Sequence, residues 1–207
     1  MKDNARPQSH LVDLAHARIL KWIRVTPVIR MQGPGARPVC FKLEGLQRSG
    51  SFKLRGALNK LLTLGDEAKA GVVTASGGNH ALGVAWAGWL LGVPVQCCVP
   101  ENTPRFKVEA LGRANAKVRL VDGTYPEAEA LAKETAHQQA LAYVHAYDDL
   151  DVVAGQGTVI REFLSQAPDV QTLVVAVGGG GLAAGAVLAA DGRRVVGVEP
   201  AGAPTMF

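Results

Sequence analysis

Ser51-Phe52-Lys53-Leu54-Arg55-Gly56 puts a lysine where a polar loop turns into a helix. Leu54, Ala57, Leu58, Leu61 and Leu62 recur at helical spacing and form one apolar stripe. Ser51 reads as the N-cap, so Lys53 falls in the first turn. The partial positive charge of a helix N-terminus disfavours an ammonium there. Arg55 pushes the same way, toward a neutral and nucleophilic amine. The plain alternative is a surface lysine on an amphipathic helix. Before the loop, Val39 to Glu44 reads as a short strand, with Gly45 and Gly50 bracketing the polar residues between.

Outward from this stretch, strand and helix signals alternate. Met1 to Pro7 reads as a tail, and Leu11, Leu14, Ala15, Arg18, Ile19 and Trp22 mark a first helix. Val72-Val73-Thr74 is a strand that runs through Ser76-Gly77-Gly78-Asn79-His80 into a helix with Leu82, Ala85, Trp86, Trp89 and Leu90 on one side. Gly92 ends that helix, and Val93 to Val99 is the next strand. Asn102 or Thr103 caps a helix with Pro104 at its first position, closed by Gly112. Val118 to Val121 is a strand, Glu127 to Gln139 a helix, and Leu141 to Val144 a strand. Gly155-Gln156-Gly157-Thr158 opens a helix through Leu164. Leu173 to Val177 is a strand, Gly178 to Gly181 a turn, Leu182 to Ala190 a helix and Val195 to Val198 a last strand. This alternation predicts an α/β fold with a mainly parallel sheet under helical cover.

Composition narrows the classes. The 207 residues are 48% hydrophobic and only 5% aromatic, so the core is built from Ala, Val and Leu. Net charge is +4, but the basic residues are scattered and not interleaved with aromatics as a nucleic-acid groove needs. Cys40, Cys97 and Cys98 give neither a disulfide framework nor metal-ligand spacing. Adjacent in a strand, Cys97 and Cys98 point to opposite faces and read as small core residues. No apolar run reaches membrane-spanning length and the N-terminus lacks an apolar signal core, so a soluble, cytoplasmic protein is expected.

Three loops then stand at the C-terminal ends of strands, where open α/β sheets bind ligands. The first carries Lys53. The second, Ser76 to His80, offers a hydroxyl, an amide and backbone N–H groups at a helix start, a cradle for an anion. The third, Gly178 to Gly181, lets the backbone approach a phosphate closely. Each alone also reads as an ordinary strand–helix turn. The third has a competitor: Gly178, Gly180 and Ala183 fit the dinucleotide fingerprint, with Glu199 about twenty residues on to hold a ribose. Against that, the fingerprint normally opens its domain, and the Lys53 and Asn79 loops would have no role.

Together the loops resemble the serine/threonine dehydratase family, fold-type II pyridoxal-phosphate enzymes that include threonine ammonia-lyase and serine racemase. The matching residues are Glu44 to Ala57, Ser76 to His80, Ala154 to Thr158 and Val177 to Leu182, within a likeness running from about Leu11 to Pro200. The resemblance implies a tryptophan synthase β-like fold of two three-layer α/β/α domains. One comprises residues 1–63 and 147–207, and a smaller one, residues 64–146, is inserted. It implies pyridoxal 5'-phosphate as cofactor, bound by Lys53 as an internal Schiff base and by Asn79 at the 3-hydroxyl. Gly178, Gly179, Gly180 and Gly181 would hold the phosphate. Ser76, Gly77, Asn79 and His80 would surround the carboxylate of a small hydroxy amino acid, threonine or serine. Released Lys53 would act as base at the α-carbon, giving a 2-oxo acid and ammonia. No nucleic acid or membrane partner is implied, and a homodimer is left open.

Departures from the family sharpen these expectations. Racemases of this family resemble Ser-Ser-Gly-Asn-His, whose second serine is the opposite-face base, and here that position is Gly77. Thr205 stands where some relatives carry an aspartate that binds a divalent cation, so no metal is expected. Relatives continue past the position of Phe207 through further strands and a serine or cysteine facing the pyridine nitrogen. The larger domain is therefore expected to be incomplete at its C-terminus. Three readings stand: an ammonia-lyase or fragment of one, a nucleotide-binding α/β domain, and a non-catalytic remnant.

Overall fold

The computed structural model describes residues 6–206. Its elements are α1 (Arg6–Ile19), β1 (Val28–Gln32), β2 (Pro38–Lys42), α2 (Lys53–Leu64), β3 (Val72–Ala75), α3 (Asn79–Leu91), β4 (Val95–Pro100), α4 (Arg105–Arg113), β5 (Lys117–Val121), α5 (Tyr125–Gln139), β6 (Ala142–Tyr143), α6 (Leu150–Gln166), β7 (Thr172–Ala176), α7 (Gly181–Ala189) and β8 (Arg194–Val198). Of the segment read as a tail, residues 1–5 lie outside the described residues, and Arg6 and Pro7 belong to α1.

The strands form a four-stranded parallel sheet in the order β5-β4-β3-β6, a parallel pair β7-β8, and an antiparallel pair β1-β2. Parallel pairing follows from the intervening helices, since a strand that returns through a helix re-enters the sheet in the same direction. β3 is buried at all four positions, as a strand covered on both faces must be. Cys97 and Cys98 pack into different clusters on the two faces of this sheet. The largest cluster joins Ile19 of α1, Leu54 and Leu58 of α2, Val84 of α3 and Val72 of β3.

Several local expectations need correction. α6 starts at Leu150, where the Asp149 carboxylate accepts the N–H groups of Asp151 and Val152 at 2.9 and 3.1 Å, so Gly155 to Thr158 lie inside the helix. α4 begins at Arg105 with Pro104 in the N-cap position, so neither Asn102 nor Thr103 caps it, and it runs past Gly112 to Arg113. In α1 the buried stripe is Val12, Ala15 and Ile19, while Leu14 is 53% exposed. In α3 the buried side is made of small residues, Ala81, Val84, Ala85 and Gly88, and Trp89 is 57% exposed. That helix is apolar on nearly every side, so spacing alone does not select its inward face.

Glycines inside α6 set its distance to two neighbours. A Cβ at Gly155 would stand 2.6 Å from the Gly56 Cα of α2, and one at Gly157 would stand 2.8 Å from the Gly185 carbonyl of α7. Residues two apart on a helix face opposite sides. Gly155 and Gly157 thus draw α2 and α7 in to backbone contact with α6.

Candidate active site

Lys53 is the first residue of α2, but not by the capping expected. Phe52 holds the N-cap position in helical conformation, and the buried Ser51 hydroxyl has no hydrogen-bond partner among the described residues. The helix start is anchored instead by Arg55, whose side chain is fully buried. Its Nε and Nη2 donate to the two oxygens of Glu44 at 2.8 and 2.7 Å, and Nη2 lies 3.0 Å from Glu162 of α6. Lys42 of β2 also pairs with Glu162. Two acids and two bases hold strand, loop and helices together below Lys53.

The Lys53 amine stands apart from that cluster. It donates to the Ala146 carbonyl at 2.7 Å and has no carboxylate in ion-pair reach among the described residues. Lys42 and Lys60, by contrast, are paired with acids. Burial pushes the Lys53 amine down to about 8. Arg55 contributes nothing to this depression, which corrects the expectation from sequence: its charge is spent on Glu44 and Glu162.

The Ser76 to His80 loop leaves β3 at its C-terminal end and becomes α3. Ser76 Oγ accepts the Gly78 N–H at 3.0 Å. Asn79 is exposed, and its side-chain amide has no partner among the described residues. His80 turns inward: its ring is buried, Nε2 lies 3.2 Å from the Val144 carbonyl, and burial with the Lys53 charge pushes it down to about 3. What His80 presents to the loop is its backbone. Thr103 stands over Gly77, where an added Cβ would run into its hydroxyl and lie 3.0 Å from its Cγ2.

Gly178 to Gly181 joins β7 to α7. Gly180, at φ +86°, is the N-cap, so the amides of the first helical turn have no helical partner. A Cβ at Gly178 would meet open space, whereas one at Gly179 would lie 2.5 Å from two Tyr147 ring carbons. Tyr147, Asp149, Gly178, Gly179, Gly180 and Met206 are among the residues lining a cleft there. Lys53 does not line it. It reaches the glycine loop through the turn at Ala146 and Tyr147. Glu199, the acid of the dinucleotide reading, accepts the N–H groups of Thr205 and Met206 at 2.8 and 3.1 Å and is occupied within its own turn.

Four contributors escaped the sequence reading. Gly83 sits inside α3, where a Cβ would stand 2.9 Å from the Lys53 carbonyl carbon, so it lets α3 press on the start of α2. A glycine in a helix interior is itself a signal for such an approach. Thr103, Ala146 and Tyr147 act through positions brought in from distant elements and leave no local signal.

The family description Pyridoxal-phosphate dependent enzyme matches residues 19–207. The chain belongs to that family. It is 43% identical to an L-threonine ammonia-lyase of Geobacter sulfurreducens over 203 residues, 94% of this chain and 50% of that protein. It is 37% identical to a serine racemase of Oryza sativa subsp. indica over 202 residues, 94% of this chain and 60% of that protein. The structure of maize serine racemase superposes with a TM-score of 0.90 at 34% identity, covering 93% of this chain and 61% of that one. The chain thus spans about half to three fifths of these relatives. The fold is that of the fold-type II pyridoxal-phosphate enzymes, and the dinucleotide reading finds no support.

The residues present fit pyridoxal 5'-phosphate. An amine depressed by burial, with no carboxylate in reach among the described residues, suits its aldehyde. A left-handed glycine at an uncapped helix start suits its phosphate. Asn79 offers a free amide for its hydroxyl.

Proposed function

We propose that this chain carries the lysine-bearing part of an ammonia-lyase that converts L-threonine, L-serine or both to a 2-oxo acid and ammonia. The observation that carries the reading is Lys53: a half-buried amine pushed down to about 8, oriented by the Ala146 carbonyl and unpaired with any acid among the described residues. Bound pyridoxal phosphate supplies an electron sink for charge developing at the substrate α-carbon. Lys53 takes the α-proton, as a base whose pKa lies close to working pH. The amides of Gly178 to Gly181 hold the phosphate, and Asn79 bonds the ring hydroxyl. The substrate carboxylate lies against Ser76, Gly77, Asn79 and the backbone of His80 at the start of α3.

Gly77 favours elimination over racemisation. It has no side chain to act as a second base, and Thr103 occupies the volume one would need. The strand sets also support the expected domain division, with β3 to β6 inside 64–146 and the other pairs outside it. The test is product analysis with pyridoxal phosphate and each amino acid. The expected products are 2-oxobutanoate from threonine or pyruvate from serine, with ammonia and negligible D-isomer. Substantial D-serine without 2-oxo acid would overturn it.

A further inference from the structure

We infer that His145 is a positioning residue, whose Nδ1 lone pair fastens the turn 145–148 that both receives the Lys53 amine and supports the Gly178–Gly181 loop. The inference rests on the reading of Lys53 as the reacting amine. His145 Nδ1 accepts the backbone N–H groups of Tyr147 and Asp148 at 3.2 and 2.8 Å. A neutral imidazole carries one N–H, so with Nδ1 accepting, the hydrogen is on Nε2. Nε2 lies 3.4 Å from Glu129 Oε1 of α5, the oxygen that also pairs with Lys133 at 3.1 Å and takes the Tyr143 hydroxyl at 3.3 Å. The ring is edge-on to Tyr147 at 4.7 Å and to Tyr143 at 6.0 Å. These groups fix the ring, and the ring fixes the turn.

The turn meets two parts of the site. The Ala146 carbonyl, between the ring and the two N–H groups it holds, receives Lys53 at 2.7 Å. Tyr147 is the surface beneath the glycine loop: a Cβ at Gly181 would stand 3.1 Å from its Cα, and Gly179 lies against its ring. Without the Nδ1 acceptor the two N–H groups lose their partner, the turn opens and water reaches Lys53. Water replaces the lost carbonyl as acceptor. Burial, the cause that holds the amine near 8, is removed, so the amine returns toward the 10.5 of a solvated lysine.

Two variants separate the nitrogens. His145→Asn keeps an acceptor near Nδ1 and loses the arm to Glu129, whereas His145→Gln keeps the arm and loses the acceptor. The measurement is competitive acylation of the whole chain by acetic anhydride across pH, with the Lys53 peptide read by mass spectrometry and thermal melts confirming folding. The parent and His145→Asn are expected to show a midpoint near 8, with His145→Gln shifted toward 10.5. An unshifted, folded His145→Gln, or equal shifts in both variants, overturns the inference. Amide exchange tests the clasp without any substitution. Slow exchange at Tyr147 and Asp148 in the parent supports it, and fast exchange at both overturns it. Neither readout uses pyridoxal phosphate, so failure to bind that cofactor counts against the proposed function and leaves these outcomes standing.

Discussion

Lys53 lies in a setting that opposes its own charge. With the amine near 8 in the folded chain and 10.5 when solvated, the unfolded chain binds more protons between those values. Stability attributable to this group is therefore present above pH 10.5 and is lost as pH falls to about 8. Lys53→Met removes the cost. The variant is expected to be more stable than the parent by about 1–3 kcal/mol below pH 8, with the difference closing toward pH 10.5. Paired thermal melts across that range check it, and a variant less stable at neutral pH would show that the charge is not disfavoured. The lysine's place at the head of a helix was legible in the sequence through its motif and the apolar stripe that follows it. The cause of its pKa was not. Arg55 is two residues away in sequence but bound to Glu44 and to Glu162, and only the fold brings Glu162 there.

Helix packing in this protein is set by glycines, and their meaning changes with context. Gly155 and Gly157 suggest a helix start when read locally, because glycine weakens helices. Inside α6 they serve close approach to α2 and α7, a reason invisible until the partners are known. Strand positions were easier to read, since β3 and β4 are short, mostly apolar and mostly buried runs bounded by turns. Gly83 is the helical glycine packed against the Lys53 backbone. On an exposed helix, Gly→Ala would stabilise by roughly 0.5–1 kcal/mol through backbone entropy. Here the new methyl meets Lys53 backbone at 2.9 to 3.1 Å, which cannot yield as a side chain can. Overpacking is expected to win, so Gly83→Ala should destabilise by about 1–3 kcal/mol and weaken pyridoxal-phosphate capture together. Denaturant melts and cofactor titration check this, and a stabilised variant with unchanged capture would contradict it.

At the scale of the molecule, alternation of strand and helix was enough to predict parallel sheet, but the strand order β5-β4-β3-β6 depends on pairings no local pattern encodes. Among the described residues, the β1-β2 and β7-β8 pairs each stop at two strands. All five residues of β2 and all five of β7 line one groove, with Phe163 of α6 also in it. Val174 is 67% exposed and Phe41 46%. Unpaired edges beside apolar surface favour association. The 207-residue chain is expected to run above 21.7 kDa on size exclusion, increasingly so at higher concentration, and Val174→Lys should reduce this. A parent that stays monomeric at all concentrations would contradict the expectation.

On this reading Lys53 is the residue that binds pyridoxal phosphate. Borohydride reduction of the chain with that cofactor, followed by peptide mapping, tests it most directly. A pyridoxyl label is expected on Lys53 and is absent in Lys53→Ala. A label on Lys42, Lys60 or Lys107 in place of Lys53 would contradict it.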